Sequence, residues 1–219
     1  MGEKRYIPAL SFRWLTPLYD PLLKWVMREE TFKRKLISQA NIQPGMKVLD
    51  LGCGTGTLTQ MIKRAHPEAA VTGLDGDPQV LEIARDKSRG TNIQWDEGLA
   101  SSLPYPDSTF DRVVTSLVIH HLVTEDKRRA FNEIHRVLRS PDPASGKPRG
   151  ELHLVDFGTP PSPFIRFISR LIRLEETADN FEGLIPSFIT EAGFESVMEV
   201  EHFASIFGPL SMIKAVKGA

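Results

Sequence analysis

Cysteine is almost missing from this 219-residue chain: Cys53 is the only one, so no intramolecular disulfide can form and no cysteine cluster can hold a metal. A reducing, cytoplasmic setting is the expectation that follows. Excess charge is missing too. The 27 basic and 28 acidic residues leave a formal net charge of -1. The electrostatic term that drives most nucleic-acid binding is therefore weak, and no nucleic-acid partner is expected. No run approaches the roughly 20 apolar residues of a spanning helix, and the charged start Met1–Tyr6 does not lead into an uninterrupted apolar stretch. A transmembrane segment is excluded on this reading, while peripheral contact with a membrane surface stays open. No grouping of His, Cys, Asp and Glu has metal-ligand spacing, so no metal is expected.

What is present is ordinary globular material, with 41% hydrophobic and 25% charged residues, enough for one α/β domain with appended elements. Leu22, Leu23, Val26 and Met27, then Leu36, Ile37 and Ala40, recur at helical spacing until Pro44 and Gly45 interrupt them. We therefore read residues 1–43 as a helical segment on the substrate side and 44–219 as the main domain. Within the latter, Lys47–Leu51 is a short apolar strand, followed by a glycine-rich loop and a helix face of Leu58, Met61, Ile62 and Ala65. The unit repeats with strand Val71–Asp75 and a helix opened by Pro78. Further strands are expected at Ile93–Trp95, Phe110–Ser116 and Glu151–Asp156, with a helix from Thr124 before the last of these. Two late strands, near Ser196–Phe203 and Ile206–Val216, lack a long crossover and suggest an antiparallel hairpin. The fold class expected is a doubly wound, Rossmann-like α/β sheet of seven mostly parallel strands.

Ligands of such sheets sit beyond the carboxyl ends of the strands, where strand order reverses. Gly52, Gly54 and Gly56 fall there, and glycine lets the backbone turn sharply and approach a ligand. Asp50, just before the loop, can accept hydrogen bonds from a cofactor or from backbone donors. Asp75, followed by Gly76, ends the second strand about 20 residues beyond the loop, where a carboxylate can receive the ribose hydroxyls of a nucleoside. Loop, helix, strand and terminal Asp in register outweigh a lone glycine triplet. The spacing is G-x-G-x-G with Thr57 in the later slot, which disfavours the pyrophosphate of a dinucleotide.

The segments Val48–Thr59, Gly73–Pro78, Leu103–Asp111, Glu133–Leu138 and Glu191–Phe194 together carry a family resemblance, running from about Tyr19 to Phe194. The chain resembles the class I S-adenosylmethionine methyltransferases, in particular the ubiquinone/menaquinone C-methyltransferase group. The resemblance implies S-adenosylmethionine as cofactor and S-adenosylhomocysteine as product. It implies that Gly52, Gly54 and Thr55 face the methionine part, Asp75 the ribose, and that Ser116 lines the pocket near the reactive end. Tyr19 matches a Tyr-Asp pair that helps cover the cofactor in relatives. Leu99 and Ala100 stand where many relatives have an Asp-Ala pair against the adenine, so either backbone groups or Ser101 take over there or the contact is lost. The loop after Leu138 is longer and richer in proline than the usual Pro-Gly-Gly turn.

Methyl transfer from a sulfonium needs a base only if the nucleophile arrives protonated. His120 and His121 follow the fourth strand and are candidates for base or substrate-orienting residue, with a purely structural pair as the rival reading. Asp156 ends the fifth strand, where capping or solvation is the commoner fate. An apolar face on Phe164–Leu174, with Arg166, Arg170 and Arg173 opposite, fits sheet packing, a lid or a membrane contact. The expected substrate is a small apolar or amphipathic molecule. The alternatives are a nicotinamide-dependent oxidoreductase and an S-adenosylmethionine-binding protein without transfer activity.

Overall fold

Strand β1 (Lys47–Leu51) is apolar toward both sides, with Val48, Leu49 and Leu51 fully buried, and it takes the centre of the sheet. The computed structural model describes residues 29–141, 148–159, 178–205 and 208–218. Outward from β1 lie β2 (Ala70–Asp75) and β3 (Ile93–Glu97) on one side, then β4 (Arg112–Ser116) and β5 (Glu151–Phe157) on the other, all parallel. The antiparallel pair β6 (Phe194–Ser205) and β7 (Gly208–Lys217) completes the order β3-β2-β1-β4-β5-β7-β6. The chain moves outward from β1 to β3 and then returns to place β4 beside β1. Sheets of this kind take their ligands in the crevice outside the carboxyl ends of the strands at such a reversal.

The helices are α1 (Glu29–Ala40), α2 (Thr57–Ala65), α3 (Pro78–Lys87), α4 (Thr124–Val137), α5 (Ala178–Phe181) and α6 (Ile185–Glu191). Two cores result from the period-two alternation of the strands. Leu49, Val113, Leu152 and Leu154 pack with Phe131 and Ile134 of α4 and Phe188 of α6, while Val48, Val71, Val114 and Val155 pack with Phe32 and Leu36 of α1 and Ile62 of α2.

The first strand has the expected ends and the others appear with shifted ones. The fourth starts at Arg112, because Phe110 is drawn into a bridge with Leu138, its amide donating to Val137 and its carbonyl accepting from Arg139. Of the hairpin strands β6 runs longer than expected at both ends, with irregular register near Met198 and Glu201, while β7 ends one residue later, at Lys217. Helix α5 spans four residues, too few for a periodic signal, and escaped the sequence reading with α6. Tyr19, the stretch Leu22–Met27 and the Phe164–Leu174 segment lie outside the described residues.

Leaving β1, the chain takes left-handed φ values of 70°, 52° and 78° at Gly52, Gly54 and Gly56. A Cβ on Gly56 would stand 2.4 Å from the Trp95 ring and one on Gly52 would stand 2.4 Å from Val118, whereas Gly54 faces open space. Asp50, 1% exposed, accepts from the Thr59 hydroxyl at 2.6 Å and from the Thr59 amide. Its charge therefore sits at the positive N-terminus of α2. Burial pushes this carboxyl up to about 6, against the Thr59 hydroxyl and Lys33, which favour its charge.

Gly54→Ala carries only the left-handed backbone cost of about 1–2 kcal/mol. Gly56→Ala adds a collision with a rigid ring and is expected to cost about 2–4 kcal/mol in all. Parallel thermal melts test the ordering, and equal losses contradict it. Asp50 gives a second expectation. Its folded value lies above the unfolded one, so its contribution is present below about pH 4 and is lost as pH rises through about 6, a swing of about 3 kcal/mol. Asp50→Asn does not titrate. Urea midpoints at pH 4 and pH 7.5 should show the stability gap moving in the variant's favour by about 2–3 kcal/mol, and an unmoved gap rejects burial as the dominant effect.

Candidate functional site

The loop after β1 is stapled to the end of β2. The Gly52 and Cys53 amides donate to the Leu74 carbonyl at 2.8 and 3.0 Å, and the Gly54 amide donates to Asp75 Oδ2 at 2.8 Å. Asp75 Oδ1 accepts from the Asp77 amide at 3.0 Å, and the Gly76 amide adds a further bond to this carboxylate. Burial raises the Asp75 carboxyl above the ordinary range, with the Asp77 and Gly54 amides working the other way. A carboxylate has about four acceptor sites, so capacity remains for a ligand hydroxyl. The Gly56 amide turns back to the Cys53 carbonyl. With these loop amides satisfied and Asp50 seated on α2, the N-terminus of α2 already holds its anion. The Cys53 thiol is buried and pushed up by that burial and by the Asp50 and Asp75 carboxylates, so it stays a thiol.

Gly52, Gly54, Thr55, Asp75, Gly76, Leu99, Ala100 and Ser116 are all half-buried and lie at or just beyond the carboxyl ends of β1 to β4. Leu99 and Ala100 belong to a tight turn whose entry, the Gly98 amide, donates to the Asp75 carbonyl at 3.0 Å and whose exit, the Ser102 amide, donates to the Leu99 carbonyl at 3.0 Å. The Ser116 hydroxyl is enclosed and has no hydrogen-bond partner among the described residues. Buried polar groups rarely remain so, and an orphan hydroxyl at this edge suits a site built to receive a polar ligand. Of the two partners open to Asp50, the structure shows the backbone one, with the Thr59 side chain added.

Beyond Ser116 the chain passes through Leu117, whose φ of 59° is strained for a leucine, and enters a single 3₁₀ turn at Ile119–His121. Asp156, 2% exposed at the end of β5, organises this turn. Its Oδ2 accepts from the amides of Val118 at 3.1 Å and Ile119 at 2.8 Å, and its Oδ1 takes the Phe157 amide at 2.7 Å and meets His120 Nδ1 at 2.8 Å. The two histidine rings lie 3.9 Å apart between centroids, and Phe157 meets His120 edge-on at 4.8 Å. Burial and the neighbouring His120 hold His121 down to about 4. Asp156 was a capping candidate in the sequence. Its link to His120 was missed, although a polar residue closing an apolar strand beside a histidine pair was the available signal.

Helix α5 covers this end of the sheet. Asn180 donates to the Phe157 carbonyl at 3.2 Å, and Asp179 accepts from Thr124 at 2.7 Å and from the fully buried Lys127 at 3.1 Å. Among the described residues no helix is long and apolar enough to cross a membrane, and no group of three or more His, Cys, Asp or Glu side chains could hold a metal ion.

This architecture and loop are matched by known proteins. The family model of the methyltransferase domain matches residues 48–141. Demethylmenaquinone methyltransferase of Thermus thermophilus is 31% identical over 164 residues, 73% of this chain and 70% of that protein. An uncharacterized methyltransferase of Synechocystis is 31% identical over 212 residues, 94% of this chain and 93% of that protein. A solved S-adenosylmethionine-dependent methyltransferase from Aquifex aeolicus shares the fold, with a TM-score of 0.66, 16% identity and coverage of 97% of this chain and 100% of that one. The glycine loop, the reversed strand order and these matches agree: the chain belongs to the class I S-adenosylmethionine-dependent methyltransferases, resembling the ubiquinone/menaquinone C-methyltransferase group.

Proposed function

We propose that this enzyme transfers a methyl group in line to a small apolar or amphipathic molecule. The observation that carries the reading is Asp75, half-buried at the end of β2, holding the Gly54 amide of the cofactor loop with acceptor capacity to spare. Gly52, Gly54 and Thr55 would then receive the methionine part, Asp75 and Gly76 the ribose, and the Leu99–Ala100 turn the adenine through backbone groups or Ser101. The Ser116 hydroxyl would border the reactive end. Tyr19 would cover the cofactor from the segment 1–43, which we assign to the substrate side. Asp50 would act through the loop, by holding α2 in place.

S-adenosylmethionine, when bound, supplies a methyl group on a positively charged sulfur with a good leaving group behind it. The chain's share is alignment of the acceptor with that methyl and exclusion of water. An apolar acceptor is supported by the balanced charge of the chain and by relatives that carry the name demethylmenaquinone methyltransferase. The nicotinamide reading is disfavoured because a pyrophosphate at the start of α2 would compete with the buried Asp50 carboxylate.

Isothermal titration of the purified chain should show binding of S-adenosylhomocysteine and none of the oxidised dinucleotide. Asp75→Ala is expected to weaken S-adenosylhomocysteine about 10-fold or more while keeping a cooperative melt, because charge-assisted bonds to the ribose are lost. A screen with methyl-labelled cofactor against quinols, lipid amines and aromatic metabolites then reads the acceptor. Binding of the dinucleotide alone, or an unaltered Asp75→Ala variant, overturns the reading.

A further inference from the structure

Cofactor seating leaves one buried charge network unused, at the ends of β4 and β5. His120 Nδ1 lies 2.8 Å from Asp156 Oδ1. Burial acts to raise the Asp156 carboxyl, but His120 and the Phe157 amide prevail and hold it below the ordinary carboxylate range. An ionised Asp156 has no proton to share, so the hydrogen bond takes its proton from Nδ1, and in the neutral ring this leaves the lone pair on Nε2. Nε2 has no hydrogen-bond partner among the described residues, yet it is not one of the enclosed orphan atoms. The geometry therefore presents an oriented imidazole with its basic nitrogen available.

Its surroundings narrow the choice further. From β5 the His120 ring faces Asp156 and Phe157, and on its own turn it faces His121; Asn180 of α5 reaches Asp156 at 3.4 Å. Asp156 is the charged group of this set. His121, held down by burial, stays neutral near pH 7 and is a poor competitor for a proton. The turn is also locked to the cofactor loop, since Val118 packs so closely on Gly52 that a Cβ there would lie 2.4 Å away. A base on this turn thus has a fixed relation to the segment proposed to hold the methionine part.

We propose that His120 is the general base for the methyl acceptor, that Asp156 is its positioning residue, and that the acceptor is a phenol or enol whose hydroxyl proton must leave. This rests on the cofactor reading above. In the step, the O–H bond breaks and its proton goes to Nε2. The electron pair left on the acceptor forms a bond to the methyl carbon from oxygen or from the adjacent unsaturated carbon, as the carbon–sulfur bond breaks and its pair stays on sulfur. Asp156 stabilises the resulting imidazolium, which returns its proton to water. An ammonium acceptor fits less well: Asp156, the charged group facing His120, is 2% exposed and already committed to several amides.

The test compares the wild type with His120→Gln and Asp156→Asn. Acceptors are a naphthol, a nitronaphthol already ionised at the assay pH, and a primary alkylamine. His120→Gln should bind S-adenosylhomocysteine within about threefold of wild type and lose about 100- to 10,000-fold in turnover on the naphthol. The loss on the nitronaphthol should be much smaller. The acidic limb of the naphthol pH profile, present in the wild type, should vanish in His120→Gln and shift in Asp156→Asn. Nitrogen NMR of histidine-labelled, cofactor-free protein should show His120 protonated at Nδ1, with that preference lost in Asp156→Asn. If a variant does not fold, the wild type still decides through the NMR tautomer and through naphthol transfer with an acidic limb. Equal losses on both phenols, an Nε2-protonated His120, or transfer to the amine alone overturns the proposal while S-adenosylhomocysteine binding leaves the cofactor reading intact. Failure of the wild type to bind S-adenosylhomocysteine overturns both.

Discussion

Where a chain leaves a parallel strand, its next amides lose their partners in the sheet and must find acceptors elsewhere. In this protein, carboxylates at strand ends supply those acceptors, and the crevice depends on them. Asp75 at the end of β2 takes the Gly54 amide from the loop of β1. Asp156 at the end of β5 takes the Val118 and Ile119 amides from the loop of β4. Asp50, on β1 itself, takes the side chain and amide of Thr59 on α2. The Asp75 and Asp156 bonds run from one crossover to its neighbour and the Asp50 bond ties β1 to its own helix, so the loops bordering the crevice are held as a connected rim. The charges are costly to bury, and burial is the largest influence on all three carboxyls. His120, with the Phe157 amide, offsets that cost at Asp156, whereas Asp50 and Asp75 have no histidine beside them and their values rise.

The same rim explains why small and strained residues concentrate here. Gly52 is pressed by Val118 and Gly56 by Trp95, so two of the three loop glycines are required by packing as well as by backbone angle. Leu117 holds a left-handed conformation without the freedom of glycine. Its amide is fixed to the Val155 carbonyl at 2.8 Å and the following turn is fixed to Asp156, so the surroundings enforce the strain. The result is a short path from the loop of β1 through Val118 to His120. Cofactor seating and proton transfer would therefore be mechanically joined through one turn.

Much of this architecture is legible in the residues alone. Apolar runs such as Val48–Leu51 and Val71–Leu74, each closed by an aspartate or a glycine loop, mark buried parallel strands because nothing else explains short apolar runs at that spacing. The pairing of Gly52–Gly56 with Asp75 is legible for the same reason, since both fall at strand ends in consecutive units. Strand ends were less legible. Phe110 has the composition of a strand residue but is claimed by Leu138, and β6 gains length from its pairing with β7, which no local pattern encodes.

Composition and spacing by themselves determined the fold class, a glycine-rich loop of nucleoside-binding kind and the exclusion of an intramolecular disulfide, because those follow from local periodicity and residue inventory. Tertiary structure decided what the polar residues do. His120 and His121 are adjacent and alike in sequence, and only the arrival of Asp156, 36 residues from His120, orients one ring and leaves the other half-buried and neutral. Asp50 and Asp75 look equally free in sequence, yet the fold buries the first against α2 and leaves the second half-buried at the strand end, within reach of a ligand. The physical reason is common to both cases: hydrogen-bond partners and desolvation are set by which strand ends meet, and that is a property of the sheet order.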